Sequence, residues 1–140
     1  MIRRSFFKKI SLGAVTLSFF PFVKFNKMKE VRKPKNLKGS FVHTVFFWLK
    51  NPDDETARNK FEYELTTFID AMPMIVGKHI GTPAGTSRSV IDSSYTYNLL
   101  CTFKTKADQD AYQDHPIHKK FIENASDLWE KVVVYDSIRM

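Results

Sequence analysis

The segment Tyr112–His118 constrains the fold most, because it places Pro116 between two stretches of helical composition. Proline lacks a backbone N–H and has a fixed φ, so it fits the first turn of a helix but not its interior. We therefore predict a short helix that ends near Asp114 and a second helix that begins at Pro116. His118 would lie in the first turn of the second helix, where the helix dipole favours a neutral imidazole. A neutral ring can accept a proton or a ligand's hydrogen bond.

Residue patterns on both sides of this segment predict the remaining elements. Runs rich in β-branched and aromatic residues favour strands, and apolar residues three or four apart favour helices. Pro73 ends the first helix, and Thr105 to Asp108 form a capping box that opens the short helix. The predicted elements are a strand at 41–49, a helix from Asp53 or Asp54 to Met72, a strand at 74–81, a loop at 82–94, a strand at 95–104, the short helix to Asp114, a helix from Pro116 to about Trp129, and a strand at 131–138. This β-α-β-β-α-β order predicts an α+β fold of the ferredoxin-like type.

The third predicted strand carries the chain's single cysteine. Alternation in a strand places every second side chain on the same face, so Tyr95, Tyr97, Leu99, Cys101 and Phe103 are predicted to share one face. A lone cysteine excludes an intramolecular disulfide and a cysteine-built metal site. We expect Cys101 to be a buried structural thiol.

The positive charge of the chain is concentrated in its first 38 residues. This segment holds eleven of the 22 Lys and Arg residues and only one of the 15 acidic residues, so it carries a net charge of +10 and residues 39–140 carry −3. Binding to nucleic acid needs a basic patch on the folded domain itself, so this composition argues against a nucleic-acid partner. We predict a basic leader and linker at 1–38 and one folded domain at 39–140.

Residues 1–38 have the layout of an export signal. A charged start precedes a short and only moderately apolar run, Ile10–Val23, which is too short to span a bilayer comfortably. The run Arg3-Arg4-Ser5-Phe6-Phe7-Lys8 resembles the bacterial twin-arginine motif, although Ile2 stands where Ser or Thr is usual. This resemblance implies recognition by the twin-arginine export machinery and a periplasmic location. The alternative is an unprocessed basic tail on a cytoplasmic protein.

Residues 41–138 resemble the Dabb family of stress-responsive dimeric α/β-barrel domains. The matching features are His43, Pro73, Gly81, the aromatic third strand, the Tyr112-x-x-His115-Pro116-x-His118 segment, Trp129 and the Val-Val-Val-Tyr-Asp136 strand. The resemblance implies a four-stranded antiparallel sheet with helices on one face. It also implies a homodimer in which two sheets pair face to face to close a barrel.

The resemblance further implies a site for cofactor-free chemistry on a small apolar carbonyl compound. In a plant polyketide cyclase of this family, the catalytic histidine and tyrosine match His118 and Tyr112. His118 would be the general base and Tyr112 would stabilise an enolate oxygen. His43, Tyr97 and Trp129 would line the binding pocket, and Tyr97 replaces a further histidine of the cyclase.

Other roles for these histidines remain open at this point. His115 is predicted to be a structural corner, and His118 and His43 also suit purely structural roles, since one fold supports many functions. His79 is expected at the surface. His115 and His118 could share a metal, but a structural zinc site usually needs four ligands and none of the others is evident. Haem or oxygen chemistry and a binding or stress-associated module without turnover are the further alternatives.

Overall fold

The computed structural model describes residues 34–140 and confirms the predicted β-α-β-β-α-β order. The twin-arginine-like motif and the apolar run of the predicted export signal, within residues 3–23, lie outside the described residues. The elements are β1 (Phe41–Leu49), α1 (Glu55–Ala71), β2 (Gly77–Gly81), β3 (Tyr97–Phe103), α2 (Lys106–Asp114), α3 (Pro116–Ala125), a 3₁₀ turn (Ser126–Leu128) and β4 (Trp129–Ile138). None of the helices in this part of the chain is long and apolar enough to cross a bilayer.

The four strands form one antiparallel sheet in the order β2-β3-β1-β4. Strand β1 lies in the interior and pairs with β3 on one side and β4 on the other. Its alternate residues are buried, as period-two geometry requires when one face of a sheet is covered. The buried set is Phe41, His43, Val45, Phe47 and Leu49.

The helices cover that face of the sheet and close an aromatic core. Phe61, Leu65 and Phe68 of α1 are buried in one cluster with the β1 residues and with Phe121 of α3. Phe68 and Phe121 stack with their ring centroids 4.7 Å apart. The core is therefore a single layer between the sheet and its three helices, as predicted for this fold class.

The helix ends follow the capping chemistry of the sequence. The Asp54 carboxylate accepts hydrogen bonds from the N–H groups of Thr56 and Ala57 at the start of α1, and the predicted capping box of α2 is present. His115 ends α2 and caps α3, its Nδ1 accepting a hydrogen bond from the N–H of Ile117 at 3.2 Å. Pro116 occupies the first turn of α3, so the predicted break between the two helices is confirmed.

Four predicted boundaries are wrong: the starts of β2, β3 and β4 and the end of α3. Strand β2 begins at Gly77, because Met74 and Ile75 pack against the core from the connection that precedes it. Helix α3 ends at Ala125. Trp129 does not extend this helix but begins β4, because Trp129 pairs with Leu49 in the sheet.

Strand β3 begins at Tyr97, and Tyr95 does not share its buried face. The Tyr95 ring packs against Phe46, with centroids 4.9 Å apart. Phe46 belongs to the alternate, half-buried set of β1 residues on the side of the sheet away from the helices. Regular alternation cannot be extended to Tyr95 because the pairing of β1 with β3 stops at Phe47 and Tyr97.

Candidate functional site

His43 lies at the bottom of the site, on the covered face of the sheet. It is 4% exposed, and its partner across the antiparallel ladder is Asp136 of β4. Directly paired residues point to the same face, so the two side chains meet, and Nδ1 of His43 lies 2.6 Å from Oδ1 of Asp136. A carboxylate only accepts hydrogen bonds. Nδ1 therefore carries the proton, and Nε2 is the nitrogen left for a ligand.

Tyr112 and His118 come together above His43. The break at Pro116 folds α3 back on α2, which places the His118 ring 4.7 Å from the Tyr112 ring, centroid to centroid. The Tyr112 ring in turn lies 5.6 Å from that of His43. Three polar aromatic side chains from three elements thus form one continuous group, which we call the His-Tyr-His cluster (His43, Tyr112 and His118).

The position of the proton on His118 follows from its hydrogen bond. Nδ1 lies 3.1 Å from the carbonyl oxygen of Gln113. A carbonyl oxygen accepts and cannot donate, so Nδ1–H is the donor and Nε2 carries the lone pair of the neutral ring. This is the arrangement that a general base requires: one nitrogen held by a fixed acceptor and the other free.

Burial sets the protonation of both helical residues of the cluster. It lowers the pKa of His118, and the positive charge that His43 can carry lowers this pKa further, while the bond to the Gln113 carbonyl opposes the change. Burial also raises the pKa of Tyr112 above its usual value, with contributions from the negative forms of Cys101 and Asp136. Near neutral pH, His118 is therefore an acceptor and Tyr112 is a hydrogen-bond donor.

The cluster lines a cavity of about 200 Å³ between the sheet and helices α1 to α3. Sheet residues Val45, Phe47 and Leu99 form its floor, and the stacked pair Phe68 and Phe121 form a wall. The remaining lining residues are Gln113, Ile122, Trp129, Val132 and Val134. Polar groups in a largely apolar cavity are the usual composition of a small-molecule site.

Of the predicted binding residues, His43 and Trp129 line this cavity with the predicted catalytic pair, and Tyr97 does not. Tyr97 is buried farther along β3, where its hydroxyl donates to the Glu62 carboxylate and its ring packs on Phe61. Burial and Glu62 raise the pKa of Tyr97 to about 12. The Tyr97 side chain therefore belongs to the packed interface between α1 and the sheet.

The other sequence expectations concern residues outside the cavity. His115 serves as a helix cap, His79 is exposed, and Cys101 is a buried thiol, all as predicted. Within residues 34–140, no group of three or more His, Cys, Asp or Glu side chains is placed to hold a metal ion. Nδ1 of His115 accepts the N–H of Ile117, so this nitrogen serves the helix cap.

Two groups that hold the histidines of the cavity by hydrogen bonds were missed in the sequence. Asp136 orients His43, and the Gln113 carbonyl orients His118. The alternation of β4 could have indicated that Val132, Val134 and Asp136 share a face, but their pairing with β1 depends on the strand register. The Gln113 carbonyl is a backbone group, and the residue type at a position does not predict which backbone carbonyl accepts a hydrogen bond.

We predict that His118 titrates below the usual imidazole pKa of about 6.5. The lowered pKa means that the unfolded chain binds the proton more readily. The resulting contribution to stability is present above about pH 6.5 and is lost as the pH falls through the lowered pKa. The measurement is the pH dependence of the His118 Hε1 chemical shift in the folded protein and in urea. A folded-state midpoint at or above the urea value would contradict the burial argument.

The sequence and the fold were compared with known proteins. Residues 41–139 match the family described as the stress responsive A/B barrel domain, Dabb. A comparison with curated proteins gave no significant match.

Solved structures share the fold at low sequence identity. A Dabb family protein with a ferredoxin-like fold from Mesorhizobium loti is 22% identical, with a TM-score of 0.61 over 74% of this chain and 99% of that one. A hydroxynitrile lyase from Passiflora edulis is 20% identical, with a TM-score of 0.62 over 73% and 94%. A dimeric ferredoxin-like protein of unknown function from Thermobifida fusca is 16% identical, with a TM-score of 0.59 over 76% and 98%. Since the family match spans most of the chain, this protein belongs to the stress responsive A/B barrel domain family.

Proposed function

We propose that the cavity performs cofactor-free general-base chemistry on a small carbonyl compound: enolisation, cyclisation or decarboxylation. One observation carries the proposal. Nδ1 of His118 is bound to the Gln113 carbonyl, which leaves Nε2 as the free lone pair beside Tyr112 and an apolar cavity. The hydroxynitrile lyase among the structural neighbours supports the view that this fold can carry a lyase site.

The chemical step uses the two residues in complementary roles. Nε2 of His118 removes a proton from the carbon next to the carbonyl, and the C–H electron pair becomes the carbon–carbon double bond of the enolate. The carbonyl electron pair moves onto oxygen, where the Tyr112 hydroxyl donates a hydrogen bond to the developing charge. Enolisation is complete when the proton held by His118 passes to the enolate oxygen, and return of a proton to carbon regenerates the ketone with exchange. In cyclisation the enolate carbon instead attacks a second carbonyl of the substrate, whose π electron pair moves onto its oxygen and takes the proton from His118.

His43 and Asp136 complete the polar end of the site. The Asp136 carboxylate keeps the proton on Nδ1 of His43 and orients the ring, so that Nε2 lies on the side away from β4. This nitrogen can accept a hydrogen bond from a substrate hydroxyl. The pair therefore orients the substrate relative to His118.

Exchange of a carbon-bound proton with solvent tests the base without knowledge of the natural substrate. Neutral ketones incubated with the full-length protein in D₂O should gain deuterium next to the carbonyl. His118→Gln should reduce the rate by about 10²- to 10⁴-fold, the usual contribution of a general base. Tyr112→Phe should reduce it by about 10²- to 10³-fold, as loss of an oxyanion donor does.

The exposed histidine provides the matched control for this experiment. His79→Gln changes the same side chain away from the cavity and should leave the exchange rate unchanged. Wild-type rates in both cavity variants would contradict the proposal. Binding of ketones without exchange in the wild type would favour the second candidate function, a ligand-binding or stress-associated module, which the same cavity supports.

We also propose that the chain forms a homodimer through the sheet face that the helices leave uncovered. Phe46, Trp48, Val133 and Tyr135 line a depression on this face, and Phe46 and Tyr135 lie 6.2 Å apart. Tyr135 is 64% exposed. An aromatic patch of this kind is characteristic of an interface, and the T. fusca neighbour is described as dimeric.

A matched pair of tyrosine substitutions tests the dimer. Native mass spectrometry of the full chain should give twice its mass of 16.3 kDa. Tyr135→Glu should shift the population toward the monomer, because a charge buried at an apolar interface loses its hydration. Tyr63→Glu changes a residue of equal exposure on α1, 67%, and should leave the dimer intact. A dimer that tolerates both substitutions equally would place the interface elsewhere.

Export of the folded domain to the periplasm is a separate proposal. It is supported by the resemblance of Arg3 to Lys8 to the twin-arginine motif and by the basic character of residues 1–38. Residues 1–38 fused to a reporter that works only when exported folded should deliver it. Replacement of both Arg3 and Arg4 by Lys should abolish delivery while preserving charge. Delivery that survives this replacement would overturn the proposal.

A further inference from the structure

The cavity has a polar end and an apolar end, and the β1–β4 register defines them. Along the ladder, His43 faces Asp136, Val45 faces Val134, and Phe47 faces Val132. Four strand residues span roughly 13 Å, so the His-Tyr-His cluster and Phe47 lie at opposite ends of the floor. Helix α3 also runs from the polar end toward the apolar end, because His118 lies in the polar cluster and Ile122, four residues later on the same helix face, also lines the cavity.

The cavity lining includes exposed residues, of which Gln113 lies beside the His-Tyr-His cluster. Three of its apolar lining residues are also substantially exposed: Ile122 at 40%, Val132 at 38% and Val134 at 46%. They lie on α3 and on β4, which is an edge strand of the sheet. A single exposed apolar residue is ordinary, but these three border one opening, which we call the α3–β4 mouth (Ile122, Val132 and Val134).

The charges around the cavity disfavour an anionic ligand. None of the 13 described residues that line it is a lysine or an arginine. The nearest fixed charge beneath the polar end is the Asp136 carboxylate, bound to His43. A ligand carboxylate or phosphate brought inside would lose its hydration without gaining a lysine or arginine partner, which is costly. Among the proposed reactions this favours enolisation and cyclisation over decarboxylation, whose substrate carries a carboxylate.

The cavity volume limits how much of a ligand it can enclose. A cavity of about 150 Å³ holds benzene, so about 200 Å³ accommodates a carbonyl group with a short chain or a single ring. Any longer apolar substituent must extend into the mouth. Burial of each methylene there strengthens binding by about 0.8 kcal/mol, close to fourfold.

We propose that the cavity binds an uncharged amphiphilic carbonyl compound whose apolar chain leaves through the α3–β4 mouth. The assignment of a carbonyl to the polar end rests on the proposed function. The path proposed for the ligand's apolar chain rests only on the exposed apolar side chains of the mouth and on the register between β1 and β4. Ile122 and Val134 are then the residues that determine which chain lengths bind.

A series of 2-alkanones from 2-butanone to 2-decanone tests this path by isothermal titration or by chemical shifts of the full-length protein. Affinity should rise about threefold to fourfold per methylene until the chain passes the mouth. Ile122→Gln and Val134→Thr should flatten this rise while they preserve helix and strand propensity. Val90→Thr, at a residue 83% exposed in the connection between β2 and β3, should not change it.

Straight-chain carboxylates of matched length provide the charge test, and they should bind at least tenfold more weakly than the ketones. Equal affinities, no dependence on chain length, or equal effects of Val134→Thr and Val90→Thr would overturn the inference. His118→Gln should reduce the rate of proton exchange to the extent predicted above but retain the chain-length dependence of binding. The chain-length dependence of binding tests this inference, and proton exchange tests the proposed chemistry, so each can be contradicted without the other.

Discussion

Strand β1 pairs with β3 on one side and β4 on the other, so every layer of the domain is built on it. Its alternation of buried and half-buried residues separates the two faces of the sheet. On the covered face, Val45 and Phe47 form the floor of the cavity and His43 enters its polar end. A one-residue slip in this pairing would move His43 to the other face. The core and the site therefore depend on the same register.

The helical side of the site depends on the break at Pro116. His115 caps α3 and Pro116 occupies its first turn, which redirects the chain between Tyr112 and His118. The same turn brings the Gln113 carbonyl to Nδ1 of His118. A local feature of the backbone thus determines both the position of the imidazole and its tautomer.

Burial links the stability of the domain to its chemistry. The aromatic core around Phe68 and Phe121 excludes water from one wall of the cavity. The same low-dielectric surroundings lower the pKa of His118 and raise that of Tyr112. The environment that makes the core stable therefore also keeps a neutral imidazole beside a protonated phenol.

The sequence by itself determined the fold class, the order of the elements, the break at Pro116 and the helix caps, because these follow from local propensity and periodicity. It also indicated His43, Tyr112, His118 and Trp129 through the resemblance to the family, and all four line one cavity. Only the tertiary structure decided that Trp129 begins a strand, that Tyr97 is bound to Glu62 away from the cavity, and that Asp136 orients His43. The first and third of these facts depend on which strands pair and in which register, and the second depends on how α1 packs against the sheet. Contacts between residues that are distant in the chain determine that register and that packing, and a local sequence pattern does not predict such contacts.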